Sequence, residues 1–593
     1  MPIAPFPIIG SYDVQRFRQF SPEDCANWTM TPAPSGKKKM ALYPTLGRAH
    51  DNFEGTNRLI FPKEPRGLFR TVNYWYVVVG NDIWQIDANY NMVHVTSAVN
   101  LTTLDGIVYF SFIVAITITY VVFSDGQHLY VFKEGAPGSL VIVTDPNAPQ
   151  QPTAIATFGN RIVCANNNSS QFNLSQINLG GAGFNPATCF TVSGVAVFNQ
   201  ATGIIKQFGV INNTLYIFTS FTTDIWSNIP SLLIANFSSG VGSFPWKQSS
   251  TYSWDFGIAD PNSLDTDFNM MVWLAQNQNG LVQVMVSDGG KPKKLSTKAV
   301  DVLFQRYANQ IKTNPFTTAE VDGFLYQYEN TIYYRLSAGP YDDNQILDQE
   351  FTNNSLEYNF DTESWTRVIE TNGERCRTHK HVFFNSTHYV TVDGDSTVYQ
   401  FSGEFYYNEV TNPLQPDPQE PDSYIAQPFR YEKVTPIISQ DDYSEFKTDY
   451  VQIDFVWGDR TFVNTLTPFA NAVFIIDEVD SPVDGTPQFM VTETDSNTFI
   501  IQEGTNTPQL SDVNYNALFK PHVELYWSDD GGITFNSADV REFSQLGVYS
   551  WRMRWYQLGC SRNRVYKLVC VSPAPIVVLG GVMEMERVSG GAN

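Results

Sequence analysis

The chain has 593 residues, of which 42% are hydrophobic and 14% aromatic, whereas only 16% carry a charge. This length and apolar content allow a large core in roughly two to four domains. The formal net charge of −23 at pH 7 argues against a basic groove that holds nucleic acid through its phosphates, and it predicts good solubility.

The charge is distributed unevenly along the chain. Residues 1–70 contain 10 basic and 6 acidic side chains, whereas residues 404–530 contain 5 basic and 23 acidic ones. These stretches are either ordinary solvated faces or surfaces that meet different partners.

The first 70 residues are rich in proline and turn-forming residues, and we predict an extended N-terminal arm over residues 1–70. This arm contains the basic run Lys37 to Lys39, followed by Leu42 to Arg48. Its start lacks the basic region and long apolar run of a secretory signal.

From Tyr74 to Phe401, a β-rich run, a polar turn and a second β-rich run recur seven times. The copies cover residues 74–86, 120–132, 161–174, 214–226, 271–284, 324–334 and 388–401. Their spacing of roughly 40–60 residues is irregular, as in propeller blades joined by variable loops. Aromatic and β-branched residues dominate, and no stretch shows helical periodicity with caps at both ends. We therefore predict an all-β protein with a seven-bladed β-propeller over residues 71–403.

One uncharged stretch, Gly106 to Phe123, is long enough to be a membrane-span candidate. It is rich in threonine and β-branched residues, and Asp105 and Asp125 flank it. This pattern predicts two successive buried strands instead of a membrane helix.

We predict a proline-rich acidic linker over residues 404–430, because the prolines up to Pro421 favour extended backbone. Beyond it, alternating polar and apolar residues predict a C-terminal β-sandwich over residues 431–593. The strongest alternating runs are 450–455, 472–476, 523–527 and 565–571.

Six widely scattered cysteines predict reduced, buried thiols and no disulfide framework. Cys560 and Cys570 are close enough in sequence to pair across a hairpin, which is the alternative for these two.

Cys376, His379, His381 and His388 are the cluster with soft metal ligands, and His379 and His381 would share one strand face. The closed Cys/His spacing of a structural zinc site is missing, so we predict surface or hairpin histidines. The acidic turn at 477–485 lacks the calcium-loop pattern. We predict no metal site, no cofactor and no catalytic residue, and hence no enzyme.

Ser528 to Phe535 closely resembles the Asp box of sialidases and many other β proteins. Its serine and aspartate are suited to bonding turn backbone, and its glycines allow positive φ, so we predict a structural hairpin turn.

The run Trp551 to Leu568 interleaves four arginines and a lysine with aromatic residues. Such a run suits either a stacking surface for nucleic acid or sandwich strands whose arginines pair with the preceding acidic region or a neighbouring subunit. The negative net charge favours the second interpretation.

Both ends of the chain resemble the packaged-DNA stabilisation proteins of short-tailed bacteriophages. At the start, the resemblance rests on Asn27 before a loop and on Leu42 to Gly47, where family members carry a Pro-Gly turn. It continues from Arg66 and Gly67 to the first hairpin. At the end, it rests on the turn around Asp529 and on Trp551 to Leu568. About a quarter of the chain is covered, and none of these motifs is catalytic.

The resemblance implies a tail-hub or head-closure protein of the virion, assembled in the host bacterial cytoplasm. It implies a hexameric ring below the portal and its adaptor, docking of a tail needle or plug, and docking of tail fibres or spikes. Double-stranded DNA would pass through the channel without sequence-specific binding. The alternatives are a propeller glycosidase and a receptor-binding adhesin of a phage tail, because propellers host many functions.

Overall fold

The computed structural model describes residues 3–32, 40–50, 59–95, 99–115, 118–176, 185–197, 203–228, 246–313, 320–339, 354–411, 424–442, 444–457, 490–493, 499–502, 522–543, 550–572 and 574–588. Four features considered above lie outside these residues: Lys37 to Lys39, most of the proline-rich stretch, the alternating run 472–476 and the acidic turn 477–485.

The described chain divides into two compact units, and both are discontinuous in sequence. The first unit consists of residues 1–49, 364–374 and 401–593, and the second of residues 50–363 and 375–400. The consecutive boundaries at residues 70, 403 and 430 do not coincide with these limits and stay predictions.

Five short strands begin the first unit: β1 (Ile3–Phe6), β2 (Asp24–Ala26), β3 (Trp28–Pro32), β4 (Met40–Pro44) and β5 (Gly47–Ala49). They are not a free extended arm, because β1 and β4 both pair with the last strand of the chain, Ile576–Arg587. The start of the chain is thus built into a sheet.

Among the described residues of the second unit, five separate antiparallel sheets follow. Their strands, sheet by sheet, are β6 (Pro65–Arg70), β7 (Trp75–Val79), β8 (Asp82–Ile86) and β9 (Met92–His94); β10 (Tyr109–Ala115), β11 (Ile118–Ser124), β12 (Leu129–Lys133) and β13 (Val141–Ile142); β14 (Pro152–Phe158), β15 (Arg161–Asn166), β16 (Gln171–Ser175) and β17 (Phe190–Val197); β18 (Ile205–Ile211), β19 (Thr214–Thr219), β20 (Thr223–Asn228) and β21 (Trp246–Trp254); and β22 (Gly257–Ile258), β23 (Asp265–Asp267), β24 (Met270–Gln276), β25 (Val282–Ser287) and β26 (Lys293–Lys294).

Tight turns fix the register of many of these hairpins. Two consecutive residues adopt positive φ in each of several turns, as a type I′ turn requires. These pairs are Gly159 and Asn160, Asn212 and Asn213, Phe268 and Asn269, Glu329 and Asn330, and Asn385 and Ser386. Asparagine and glycine tolerate this backbone conformation best, so the polar turns of the repeated module encode the hairpins directly.

A helix, α1 (Lys298–Thr313), follows the fifth sheet. This helix is not predicted from the sequence, where no long stretch shows helical periodicity with caps at both ends. Val300, Leu303 and Phe304 are buried and have the i, i+3, i+4 spacing of an amphipathic helix, and the Thr297 side chain caps its first turn.

The remaining strands of the second unit are β27 (Glu320–Tyr328), β28 (Thr331–Gly339), β29 (Asn354–Asn359), β31 (Thr378–Phe384), β32 (Thr387–Val392) and most of β33 (Val398–Ser402), while β30 (Ser364–Val368) belongs to the first unit. All seven predicted strand pairs therefore exist. The prediction of seven separate blades is wrong, however, because the sixth and seventh pairs are parts of one 15-stranded sheet. Their edge strands continue the hydrogen-bond ladder instead of ending it.

Neighbouring sheets of the second unit pack face to face through apolar residues, in a β-propeller arrangement. One cluster joins Val163 to Leu215, and another joins Tyr216 to Trp273. Trp75 of the first sheet stacks on Tyr389 of β32 with ring centroids 5.0 Å apart. This last contact brings the beginning and the end of the unit together.

The first unit is completed by β34 (Tyr407–Thr411), β35 (Tyr424–Val434), β36 (Ile438–Ser439), β37 (Phe446–Trp457), β38 (Met490–Glu493), β39 (Phe499–Gln502), β40 (His522–Ser528), β41 (Asp539–Glu542), β42 (Ser550–Tyr556), β43 (Cys560–Ser561), β44 (Asn563–Ser572) and β45 (Ile576–Arg587). β45 lies between β4 and β37 in a seven-stranded sheet, and β44 lies between β35 and β40. Residues from both groups of strands, among them Trp28 and Leu568, share one core.

The apolar stretch Gly106 to Phe123 forms the antiparallel pair β10–β11, as predicted, with Ile113 opposite Tyr120. Among the described helices, none has the length and apolar character needed to cross a membrane.

Candidate functional site

A cavity of about 320 Å³ lies inside the second unit. Its lining comes from β6, β10, β18, β23, β27 and β31, and five of these (β6, β10, β18, β23 and β31) immediately precede a repeated module. The charged or titratable residues that line it are Arg66, Asp265, Asp322, His379, Lys380 and His381. Polar groups thus converge on one cavity, which is the usual setting of a small-molecule binding site.

A break in strand register places two of these side chains. β31 pairs with β32, and the register shifts between Thr378 and His381. A β-bulge re-aims the side chains beside it. Here, both His379 and Lys380 reach Asp322 on β27.

His379 lies at the centre of a cluster with three carboxylates. Its Nδ1 is 3.3 Å from Asp393 Oδ1 and 3.4 Å from Asp322 Oδ2, and its Nε2 is 3.8 Å from Glu64 Oε1. The histidine side chain is only 1% exposed. One possible ligand atom each from Glu64, His379 and Asp393 lies within 4.8 Å of the other two, so these residues are able to hold a metal ion.

The charges of this cluster influence one another. Burial opposes the charged form of His379, but the neighbouring Asp393 and Asp322 outweigh it and raise the pKa of the histidine. Burial alone would raise the pKa of Asp322, yet Lys380 and His379 lower it to about 2. Burial raises the pKa of Glu64. Asp322 is therefore a firmly ionised carboxylate that orients the imidazole.

Cys376, His379, His381 and His388, which the sequence groups as candidate metal ligands, do not converge on one metal site. His381 Nε2 donates to His388 Nδ1 at 2.9 Å, while His388 Nε2 donates to the carbonyl of Gln327 at 3.1 Å, a tautomer assignment that follows from the carbonyl acceptor. Burial lowers the pKa of both histidines. Cys376 instead donates to Thr378 Oγ1. The buried His379 is neither a surface residue nor a partner of this neutral pair.

Sequence reasoning missed Glu64, Asp322 and Asp393. Each lies far from His379 in sequence or on another strand, and no local spacing links them. Only Asp393 has a recognisable sequence signal, because Asp393, Gly394 and Asp395 form a turn after β32.

Asp265 is a second carboxylate of the cavity. Its oxygens accept hydrogen bonds from the backbone N–H groups of Leu325 (2.7 Å) and Thr266 (2.7 Å). Burial nevertheless raises its pKa to about 6. A carboxyl group with this pKa is half protonated near pH 6, which is the range of a general acid.

The Asp-box turn of the first unit has the hydrogen bonds that its sequence predicts. Asp530 Oδ1 accepts from the backbone N–H groups of Ile533 and Thr534, both at 3.0 Å, and Ser528 Oγ accepts from Gly532 N at 2.9 Å. Gly531 has a φ of 80°. These bonds occupy the carboxylate within its own turn.

The basic run of the first unit pairs with acidic residues, as the favoured interpretation predicts. Arg564 Nε is 2.8 Å from Asp529, and Arg552 Nε is 3.1 Å from Asp454. Lys567 Nζ is 3.5 Å from Glu432. These partners all lie in the acidic stretch 404–530.

The chain matches no protein-family model, and it matches no curated protein. It is similar in structure to the WD40 domain of Neurospora crassa Pan2, with 9% identity over 63% of this chain and 98% of that one and a TM-score of 0.34. It is also similar to the β-propeller domain of Myceliophteria thermophila Cps50 (Swd1), with 8% identity over 60% and 99% and a TM-score of 0.35. The computationally designed Ika8 protein is similar at 12% identity over 64% and 97%, with a TM-score of 0.31. Similarity at this level concerns fold alone.

Proposed function

We propose that this protein is a structural component of a bacteriophage virion, a tail hub that closes the portal and retains packaged DNA. The protein would act without catalysis, as a hexameric ring bound to the portal adaptor. A tail needle or plug and fibres or spikes would attach to it. We also propose that residues 431–593 form the C-terminal β-sandwich predicted from the sequence.

One observation carries the proposal: residues that bear the family resemblance at both ends of the chain fix the interior of one unit. Asn27 donates from Nδ2 to the carbonyls of Ile369 and Arg430, both at 2.8 Å, and adopts a φ of 57°. At Gly47, a Cβ atom would clash with the carbonyl oxygens of Phe405 and Tyr407.

The C-terminal motif contributes in the same way. Arg564 is 1% exposed and donates to the carbonyls of Leu558 and Cys560 as well as to Asp529. The motif residues make buried hydrogen bonds to backbone groups, which suits a structural protein. Catalytic motif residues would instead face a cavity.

Electron microscopy of the protein mixed with a portal–adaptor complex tests the proposal. We expect added ring-shaped density at the adaptor. Particles that lack this protein should lose their packaged DNA. Particles with no added density would contradict the hub assignment.

A second candidate, the propeller glycosidase, is favoured by the convergence of Asp265, Asp322 and Arg66 on one cavity. Paired carboxyl groups with different pKa values suit glycoside hydrolysis. Release of sugar from host surface polysaccharide would support this candidate, provided that Asp265→Asn abolishes it. Polysaccharide binding without sugar release would instead indicate the adhesin.

A further inference from the structure

The cluster around His379 contains two buried polar atoms that face each other without a bond. Nε2 of His379 and Oε1 of Glu64 have no hydrogen-bond partner among the described residues. Their separation of 3.8 Å is too long for a direct hydrogen bond. Such a pair is unfavourable unless a third group lies between the two atoms.

A divalent metal ion has a suitable size for this position. Zinc binds histidine nitrogen and carboxylate oxygen at about 2.0–2.2 Å, which places the ligand atoms of a tetrahedral ion roughly 3.3–3.5 Å apart. The observed 3.8 Å needs a shift of only a few tenths of an ångström. Asp393 has one ligand atom within 4.8 Å of those of Glu64 and His379, and it would supply a third ligand by turning its carboxylate from Nδ1, where Oδ1 now lies at 3.3 Å, towards the ion at Nε2.

The opposite edge of the imidazole is already oriented for metal binding. Nδ1 lies 3.4 Å from Asp322 Oδ2 and 3.3 Å from Asp393 Oδ1, and Asp322 also pairs with Lys380, so the Nδ1–H group has an ionised acceptor in Asp322 even when Asp393 turns to the metal. A carboxylate that accepts this proton leaves the Nε2 lone pair available and holds the ring in place, as in many carboxylate–histidine–zinc sites. Arg375 pairs with Asp393 and fixes it in a similar way.

We propose that Glu64, His379 and Asp393 bind a divalent transition-metal ion, with zinc preferred, and that Asp322 is the positioning residue. One nitrogen and two oxygen ligands, with a further position left for water, suit zinc better than calcium or magnesium, which prefer all-oxygen sites. This inference does not rest on the proposed function.

The position of the ligands assigns a role to the ion. Glu64 immediately precedes β6, His379 lies on β31, and Asp393 follows β32, more than 300 residues later in the chain. The ion would therefore cross-link the first and last parts of the second unit. Closing so long a loop stabilises the closed arrangement by restricting the unfolded chain.

Titration of the full chain with Zn²⁺ tests the proposal. The protein should be purified without a histidine tag and treated with a chelator, and binding should be followed by calorimetry. We expect one Zn²⁺ per chain with a dissociation constant in the micromolar range or below. At a hundredfold excess over that constant, the melting temperature should rise by about 3 °C or more.

Conservative variants locate the site. Glu64→Gln and His379→Gln should each weaken Zn²⁺ binding at least a hundredfold, and Asp322→Asn about 10–100-fold. His94→Gln is the matched control, because His94 Nε2 lies 3.1 Å from Asp82 on the same unit, outside the cluster. If His379→Gln fails to fold, Glu64→Gln still tests the assignment.

Each result decides the question. Stoichiometric binding that Glu64→Gln abolishes and His94→Gln preserves supports the site. No stoichiometric binding, or equal binding by all variants, would overturn it, and His379 would then be a protonated partner of Glu64. Tighter binding of Ca²⁺ or Mg²⁺ than of Zn²⁺ would overturn the choice of metal.

Discussion

Arg48 and Glu370 form a two-pronged ion pair in the interior of the first unit. Nη1 is 2.8 Å from Oε1 and Nη2 is 3.1 Å from Oε2, and the two side chains are 1% and 6% exposed. Asn408 donates to the same carboxylate at 3.1 Å. Three separate segments of the chain therefore meet at one charged contact.

Removal of one partner of this pair should strongly destabilise the first unit. Glu370→Gln removes the carboxylate that neutralises the buried Arg48 guanidinium, so we expect a loss of about 3–5 kcal/mol in the free energy of unfolding. Urea unfolding followed by tryptophan fluorescence measures it. Arg552→Gln, at an exposed pair in the same unit, should change this value by less than about 1 kcal/mol. An equal effect of both variants would contradict the prediction.

Asn27 combines buried hydrogen bonds with a left-handed backbone, and two substitutions separate these effects. Asn27→Gly loses the bonds to Ile369 and Arg430 but keeps the conformation, so we expect a loss of roughly 2–4 kcal/mol in stability. Asn27→Ala adds backbone strain of about 1 kcal/mol. The same unfolding assay applies. If the alanine variant proved more stable than the glycine variant, the strain argument would fail.

The raised pKa of Asp265 makes stability depend on pH. Since its folded-state pKa is about 6 and its unfolded value is 3.8, the folded protein binds the extra proton, and this contribution is complete below pH 3.8. It is lost as pH rises through 6. Relative to Asp265→Asn, the wild type should lose about 2–3 kcal/mol of unfolding free energy between pH 4 and pH 7.

Thermal unfolding of both proteins across this pH range measures the difference. Asp105→Asn is the control, because Asp105 is exposed on the same unit. Parallel pH profiles for wild type and Asp265→Asn would disprove the assigned pKa.

Cys560 is exposed, whereas the other five cysteines are buried. Burial raises the pKa of Cys25 and Cys189 to about 12, which suppresses the reactive thiolate. A thiol reagent should therefore modify one cysteine per chain under native conditions and six after denaturation. Cys560→Ser should abolish the native reaction. All six cysteines are free thiols in the structure, including Cys560 and Cys570, so fewer than six reactive thiols in denaturant without reductant would contradict this prediction.

The strand pairs could be predicted from sequence because their determinants are local. Alternating apolar residues and turns such as Asn212 and Asn213 specify a hairpin within about 15 residues. Which strand pairs with the outer edge of a hairpin depends on residues far away in the sequence. For this reason, the prediction of separate blades for the sixth and seventh pairs is wrong. Helix α1 was missed although Val300, Leu303 and Phe304 have helical spacing, since its surroundings are uniformly β-rich.

The candidate site was predictable only in part. His379 was singled out, but its carboxylate neighbours Glu64 and Asp322 come from distant positions and carry no motif. The bulge that turns His379 and Lys380 towards Asp322 is likewise set by pairing with β32, which spacing along one strand does not reveal.

The pairing of β4 with β45 has a consequence for biosynthesis. Leu42 on β4 lies opposite Val578 on β45, so β4 must wait for the last strand to leave the ribosome before the two can pair. At about 5–20 residues per second, this delay is roughly 30–110 s. During that interval the second unit has been synthesised in full, whereas β1 and β4 remain without their partner strand β45. We expect the nascent chain to expose these open strand edges and to depend on chaperones until synthesis is complete.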